Sequence, residues 1–267
     1  MNSKSQNARE PHIDVRNLTM GWGQDAILQA DATFQVERGD IFVILGGSGC
    51  GKSTLLRHLV GLEVPLSGEI AIADLGAPRL DVGRPPFGVM FQGGALFGSL
   101  TVGENVALAL EKWTTLSEEA VTAIVRAKLH LVGLASAEDK FPSEISGGMK
   151  KRAAIARAMA LEPELLFLDE PSAGLDPVSA VLLDELILTL NAQLGMTVVI
   201  VTHELESIFK IGKNCIMLDK ESKTIIARGD PRQLRDTSTD TRVLQFFHRS
   251  AEEMGAKTSA NGEARRP

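Results

Sequence analysis

The sequence predicts an α/β fold: a parallel-sheet core interrupted by a helical subdomain and preceded by a short antiparallel β region. Three observations carry this. A continuous apolar run, Ile41-Phe42-Val43-Ile44-Leu45, has the composition of a strand buried on both faces and is followed by a helical pattern with Leu55, Leu56, Leu59 and Val60 on one side. Further strand-sized apolar runs at 165–168 and 197–201 flank a helical stretch over 178–194. Between about 95 and 160 the pattern is mostly helical.

Each element has its own reason. Alternating segments at 13–20, 26–28 and 33–36 read as antiparallel strands and turns. Pro65, Gly68 and Pro78 punctuate the chain around a strand at 69–73, and 87–91 reads as a strand entering the core. Helical spacing covers 102–110 and 118–132, where Ser117 before Glu118 and Glu119 is a start signal. Segments 215–218 and 223–227 suggest a closing hairpin. Residues 240–249 read as a short terminal helix with Val243, Leu244, Phe246 and Phe247. The expected organisation is a flexible tail at 1–12, one domain at 13–249 with a helical subdomain at about 95–160, and a polar, disordered tail at 250–267.

Composition narrows the class. A chain of 267 residues with 44% apolar and 23% charged residues suits one large soluble α/β domain with an insertion, or two modest domains. The formal net charge of −6 argues against a general binder of nucleic acid or anionic lipid. No run approaches the roughly 18 to 20 apolar residues that cross a bilayer, and residues 1–12 have no apolar core of a signal peptide. A membrane role is therefore expected to come through a partner protein, without direct membrane insertion. Cys50 and Cys215 lie far apart, form no metal-type pair and read as reduced thiols of a cytosolic protein.

The stretch Gly46-Gly47-Ser48-Gly49-Cys50-Gly51-Lys52-Ser53-Thr54 has the full Walker A spacing. Glycines let successive backbone N–H groups face one anion, Lys52 adds a cation for the terminal phosphates, and the Ser53 hydroxyl can ligate Mg²⁺. The helix that follows points its N-terminus at the same phosphate. The reading is nucleoside triphosphate binding on a P-loop NTPase core. The strand at 165–168 ends in Asp169-Glu170-Pro171, a Walker B arrangement in which Asp169 holds the Mg²⁺ shell and Glu170 orients or deprotonates the attacking water.

Other candidates are weaker alone. Ile145-Ser146-Gly147-Gly148-Met149 opens a helix bearing Lys150, Lys151, Arg152 and Arg157; free N–H groups there suit an anion, although Gly-Gly before a helix is often only a turn. His203 follows the strand at 197–201 and by itself reads more readily as a capping or packing histidine. Gln92 closes the 87–91 strand and by itself is an exposed polar residue at a strand end.

Taken in order, Walker A, Gln92, Ser146-Gly147-Gly148, Asp169-Glu170, Ser172-Ala173-Gly174-Leu175-Asp176 and His203 resemble the nucleotide-binding subunit of ATP-binding cassette (ABC) transporters over about residues 13 to 230. The resemblance implies the ABC ATPase fold, ATP and Mg²⁺ as ligands, and a head-to-tail homodimer with each ATP between two copies. Lys52, Ser53, Gln92, Asp169, Glu170 and His203 would act on the nucleotide of their own copy, with Ser53, Gln92 and Asp169 around the metal. Ser146, Gly147 and Gly148 would reach the γ-phosphate of the opposite copy, and Asp176 would lie at the seam. His203 would hold the γ-phosphate and its developing charge. Trp22 stands where the family usually has an aromatic, commonly Tyr, against adenine; this chain has no Tyr, and a packing Trp is the alternative. Ile145 and Met149 depart from the usual Leu and Gln of the signature, while its phosphate-facing Ser-Gly-Gly is kept.

The segment 142–149, with Phe91-Gln92-Gly93-Gly94-Ala95-Leu96-Phe97 and the terminal 240–247, resembles the ATPases of MCE-linked lipid transporters of the Mla type. That implies phospholipid movement between inner and outer membranes of a bacterium, integral membrane permease subunits, an MCE-domain protein, a STAS-domain partner, and a place at the cytoplasmic face of the inner membrane. The apolar segment 95–102 is a candidate dock for a permease helix or ordinary subdomain core. A small-solute importer ATPase is the same catalytic class on another permease. A soluble, non-transport cassette ATPase is the alternative of another class, disfavoured by the absence of a long coiled-coil insertion or a second cassette in these residues.

Overall fold

A computed structural model describes residues 11–23, 25–79 and 83–248; the tail expectations for 1–10 and 250–267 lie outside the described residues. The chain opens with β1 (Ile13–Gly21) and β2 (Ile27–Val36), followed by β3 (Ile41–Gly46), α1 (Lys52–Leu59), β4 (Ser67–Ile72) and β5 (Gly88–Met90). Helices α2 (Val102–Trp113) and α3 (Glu118–Leu131), a 3₁₀ turn (Pro142–Glu144) and α4 (Gly147–Ala158) come next. The chain then runs through β6 (Leu165–Asp169), α5 (Pro177–Leu194), β7 (Thr197–Val201), α6 (Leu205–Ile211), β8 (Asn214–Leu218), β9 (Ile225–Gly229) and α7 (Pro231–Thr237), with residues 241–248 helical beyond it.

Two sheets result. The larger has the order β5-β6-β7-β3-β8-β9, parallel except for β9, which returns antiparallel on β8. The smaller is antiparallel, β2-β1-β4. All of β3, β6 and β7 is buried, as continuous apolar runs require when both faces are covered. Period-two alternation splits their side chains. Phe42, Ile44, Phe167, Val199 and Val201 pack with α1 and the small sheet, where Phe34 stacks on Phe42 at 5.6 Å. On the other face, Leu166, Leu168, Val198 and Ile200 pack with the helices of 102–158 and with α5. Val43 and Leu45 meet Ile208, Val243 and Phe247, so the terminal helical segment covers the end of the sheet.

Helix starts follow their sequence signals. Ser117 accepts the Ala120 N–H, and Thr101 with Glu104 forms a reciprocal capping box. Asp176 caps α5, whose first residue is Pro177. By length and composition α5 is the one helix among the described residues apolar enough to cross a membrane; here Leu183, Leu186, Ile187 and Leu190 are buried in the protein core.

Three expectations need correction. The separate strands at 26–28 and 33–36 are one strand, β2, because Asp31 takes a left-handed φ of 51° and lets the ladder continue past the irregularity. His12, assigned to the tail, is buried, with Nδ1 2.6 Å from Thr197 Oγ1 and its N–H donating to Val36 O. Helices α6 and α7 were not foreseen, since seven residues show barely two turns of periodicity. Cys50 and Cys215 are free and buried, and burial pushes the Cys215 thiol up to about 12.

Asn105, fully buried on α2, organises the segment between Gln92 and that helix. Its amide donates to the carbonyls of Phe97, Leu100 and Thr101, and its oxygen accepts the Phe97 N–H at 2.8 Å. Asn105→Ala strips partners from buried backbone groups and is expected to cost about 2–3 kcal/mol in chemical denaturation.

Candidate nucleotide-binding site

Four strand ends build the site. In the parallel ladder Met90 of β5 pairs with Leu168 of β6, Asp169 with Val201 of β7, and Val201 with Ile44 of β3. Residues just beyond these pairs, namely Gln92, Glu170, His203 and Gly46, therefore emerge at one edge. That is where ligands bind in open α/β sheets.

The loop between β3 and α1 is held from behind. Gly46 has φ +145°, and a Cβ there would lie 2.5 Å from both Cys50 Sγ and Leu218 O, so only glycine fits. The Cys50 side chain is buried under the loop, not turned toward the cleft, so its part in the site is its backbone. Gln29, buried in β2, donates to Cys50 O at 3.0 Å and Asp219 O at 2.9 Å, pinning the loop to the small sheet. Lys52 Nζ donates to Gly46 O at 2.9 Å and Gly47 O at 3.1 Å.

Two side-chain pairs face this loop. Ser53 Oγ donates to Asp169 Oδ1 at 3.3 Å. Burial pushes the Asp169 carboxyl above the usual range, against the downward pull of that hydroxyl. His203 Nδ1 donates to Glu170 Oε1 at 2.8 Å, while Glu170 Oε2 is buried without a hydrogen-bond partner. Glu170 is only 7% exposed and has φ 48°, a left-handed posture that costs a non-glycine residue about 1–2 kcal/mol.

One cleft of about 710 Å³ is lined by Trp22, Gly46, Gly47, Ser48, Gly49, Gly51, Lys52, Ser53, Thr54, Gln92, Glu170 and His203. Trp22 is 64% exposed at this cleft. Leu28, Leu205 and Phe246 also line the cleft. Sequence reasoning missed them, as it missed Gln29. Phe246 lay in an expected helix whose docking no local pattern reveals, and a glutamine amid the alternation of β2 was the only hint of Gln29.

The remaining candidates lie elsewhere. Ser146 caps α4 by accepting the Met149 N–H at 3.3 Å; Ser146 and Gly147 are exposed, and none of Ser146, Gly147, Gly148 and Asp176 lines the cleft. Asp176 accepts the Ser179 N–H at 3.0 Å, and the hydrogen bonds from Ser179 hold its carboxyl below the usual range. A Cβ on Gly148 would lie 3.2 Å from Ser179, so the start of α5 packs directly on the start of α4.

The residues present fit Mg²⁺ with a nucleotide. No group of three His, Cys, Asp or Glu able to hold a metal exists among the described residues. A hard cation bound through Ser53 and Asp169 needs only one or two protein oxygens when phosphates and water supply the rest.

An ionised Asp169 works against folding, because its raised pKa means the folded chain holds the proton more tightly than the unfolded one; the penalty is present at neutral pH and vanishes on acidification. Asp169→Asn is therefore expected to melt no lower than the parent at pH 7. It should lose Mg²⁺-dependent nucleotide affinity by about tenfold or more in titrations. Trp22→Ala should weaken ATP binding by about 1–3 kcal/mol, and the parent's fluorescence change on ATP should persist in Trp113→Phe but vanish in Trp22→Phe.

The sequence model of the ABC transporter family matches residues 30–173. The probable ribonucleotide transport ATP-binding protein mkl of Mycobacterium leprae is 42% identical over 241 residues, covering 88% of this chain and 68% of that protein. Against the Mycobacterium bovis relative of the same name the share of the relative is 66%, so the chain spans about two thirds of these proteins. The intermembrane phospholipid transport system ATP-binding protein MlaF of Haemophilus influenzae is 40% identical over 240 residues, covering 88% and 89% of the two chains. Among solved structures, the dimeric post-hydrolysis state of the ATP-binding cassette MJ0796 bound to ADP and Pi has a TM-score of 0.73 at 28% identity, covering 82% of this chain and 98% of that one. The cbiO1 protein of Clostridium perfringens, part of the ABC transporter complex cbiONQ, has a TM-score of 0.75 at 26% identity, covering 94% and 99%. A phosphate loop, a paired Ser53 and Asp169, and Glu170 beside His203 on one sheet edge thus occur in a chain that belongs to the ABC transporter family, among its ATP-hydrolysing subunits.

Proposed function

We propose that this chain hydrolyses Mg-ATP at the seam of a head-to-tail homodimer and so drives a membrane permease that moves phospholipid between the inner and outer membranes of a bacterium. One observation carries the dimer: Ser146 and Gly147 present a helix N-terminus to solvent, outside the cleft formed by the other phosphate-binding groups. A second copy supplies what the first lacks. The dimeric form of the MJ0796 cassette supports the same arrangement.

Within one copy the loop N–H groups and Lys52 hold the phosphates, with the Lys52 ammonium exchanging its own loop carbonyls for phosphate oxygens. Ser53 and Asp169, with Gln92 at the same cleft, would hold Mg²⁺, which when bound would supply charge neutralisation at the phosphates. Glu170 orients water and accepts its proton. His203 donates to Glu170 in the structure; when it donates instead toward the γ-phosphate it stabilises developing charge and leaves the carboxylate for water. Trp22 stacks on the base, and Asp176 lies at the seam. Loss of the γ-phosphate removes the contact with Ser146 of the second copy, and the halves separate.

The permease contact is supported by an apolar groove of about 680 Å³ between β5 and α2, lined among others by Phe87, Val89, Phe97, Leu108 and Trp113. Phe97 is 57% exposed there, whereas Leu96 packs against the core and Val102 is buried, which supports Phe97 as the docking residue of segment 95–102. An amphipathic helix fits such a groove. The phospholipid cargo follows the MlaF relatives, with an MCE-domain and a STAS-domain protein as further partners and peripheral attachment at the cytoplasmic face of the inner membrane. A small-solute permease is the second reading, supported by the name of the mycobacterial relatives. Lipid extracted with the purified complex decides between them: enriched phospholipid supports the first, and a solute-stimulated ATPase without it supports the second.

Glu170→Gln should hold ATP and shift to a dimer in size-exclusion chromatography with Mg-ATP. Adding Ser146→Arg should return it to monomer while ATP affinity stays within about threefold, since that serine lies outside its own copy's cleft. Undiminished hydrolysis by Ser146→Arg alone defeats the shared site.

A further inference from the structure

Lys151 lies in α4, one turn beyond the glycines, and is only 8% exposed. Its ammonium donates to the main-chain oxygen of Glu170 at 3.1 Å and to that of Gln92 at 3.3 Å. These are the two chain segments that bring a carboxylate and an amide to the cleft. Further along the same helix Arg157 donates to Ala95 O at 2.6 Å and Gly94 O at 2.8 Å. The helix that begins at the signature glycines thus grips the segment after Gln92 at three carbonyls and Glu170 at a fourth.

Glu170 needs holding. Its left-handed backbone is fixed on one side by its N–H donating to Val201 O at 2.8 Å. On the other side its carbonyl accepts from Lys151 and, at 3.3 Å, from the Ala173 N–H. Burying an ammonium is unfavourable unless it is well paired, and an apolar side chain would fill the same space without that penalty. The Lys151 ammonium feels both Asp169 and Glu170, while burial draws its pKa below the usual lysine range. Packing does not account for the charge; the carbonyls do.

We propose that Lys151 is a positioning residue for hydrolysis, tying the posture of the Glu170 carboxylate and the Gln92 segment to the placement of the helix capped by Ser146. When the second copy's nucleotide draws that helix in, Lys151 transmits the displacement to both segments through hydrogen bonds. This rests on Glu170 as the group that activates water.

The test uses the full chain together with the membrane subunits that co-purify with it. Lys151→Met keeps the stem and removes the donors; kcat should fall about tenfold or more, with KM for ATP and equilibrium Mg-ATP affinity within about twofold of the parent. Lys151→Arg, which restores donors and charge, should recover turnover to within about threefold of the parent. In a Glu170→Gln background Lys151→Met should lower the residual turnover by less than about twofold, because both changes disable one group. The inference is overturned by Lys151→Met turning over like the parent, by a loss shared equally between kcat and nucleotide affinity, by Lys151→Arg failing to recover turnover at an unchanged melting temperature, or by an undiminished further loss in the Glu170→Gln background. Full activity of Glu170→Gln alone would instead sink the assignment of Glu170, whatever the lysine variants do.

Discussion

Because β3, β7, β6 and β5 pair in parallel and in register, segments that lie over 150 residues apart in sequence, from Gly46 to His203, reach the same level of one edge. Everything chemical in the molecule depends on that levelling. A slip of one residue between β6 and β7 would turn Val199 and Val201 toward the helices and move Glu170 away from His203. The slip is opposed from both faces at once. Each strand alternates between two apolar clusters, so an altered register would expose or misplace every side chain in it. Full burial of a Leu, Val or Ile contributes roughly 1.5–3 kcal/mol, and the three central strands hold about a dozen such residues. The order of the site is therefore a by-product of core packing.

The helices of 102–158 complete this edge from the side. Their core is continuous with one face of the sheet through Met90, Leu166 and Leu168, so they pack on β5 and β6 as part of one apolar cluster. Asn105 and Arg157 clasp the chain that leaves Gln92, and Ser179 of α5 abuts Gly148. A polar bond to a buried carbonyl is directional where apolar contact is not. That difference makes α4, with Lys151 and Arg157, a better transmitter of displacement than the surrounding alanine face.

Much of the fold and of the site was legible in the residues, for a physical reason. Phosphate binding needs main-chain N–H groups with little side-chain cover, so its glycines, Lys52 and Ser53 are contiguous. A strand that delivers carboxylates ends in them, as Leu168 does at Asp169. Ser146, Ser117 and Asp176 carry helix starts in a single residue. What escaped notice is what distance along the chain conceals. Gln29 meets the phosphate loop only because β1 and β2 fold over α1, and Phe246 reaches the cleft only through the burial of Val243 and Phe247. Lys151 was visible as a charge near a helix start, but its burial, and hence its partners, belong to tertiary structure. The gap expected between 28 and 33 is spanned in the structure, because Asp31 takes a left-handed conformation inside β2 that no residue pattern announces.

Cargo and fuel are separated by this architecture. The ligands proposed for the cleft are phosphate, metal and base, none of which differs between a lipid and a solute transporter, and most of its residues come from strand ends fixed by the core. The groove at Phe97 and Trp113 is built from α2, β5 and the end of α4, and none of its lining residues lines the nucleotide cleft. Relatives of about 40% identity whose names specify ribonucleotide and phospholipid transport are consistent with that separation. The two sites nevertheless meet at β5. Val89 lines the groove, and Gln92 lies three residues further along the same segment at the cleft. In the proposed complex a partner helix in that groove would act on Gln92 through this short covalent path, while Lys151 donates to the carbonyls of that same glutamine and of Glu170. Under that proposal coupling needs no long relay, because one lysine side chain joins the segment that continues from the groove to the main chain of Glu170.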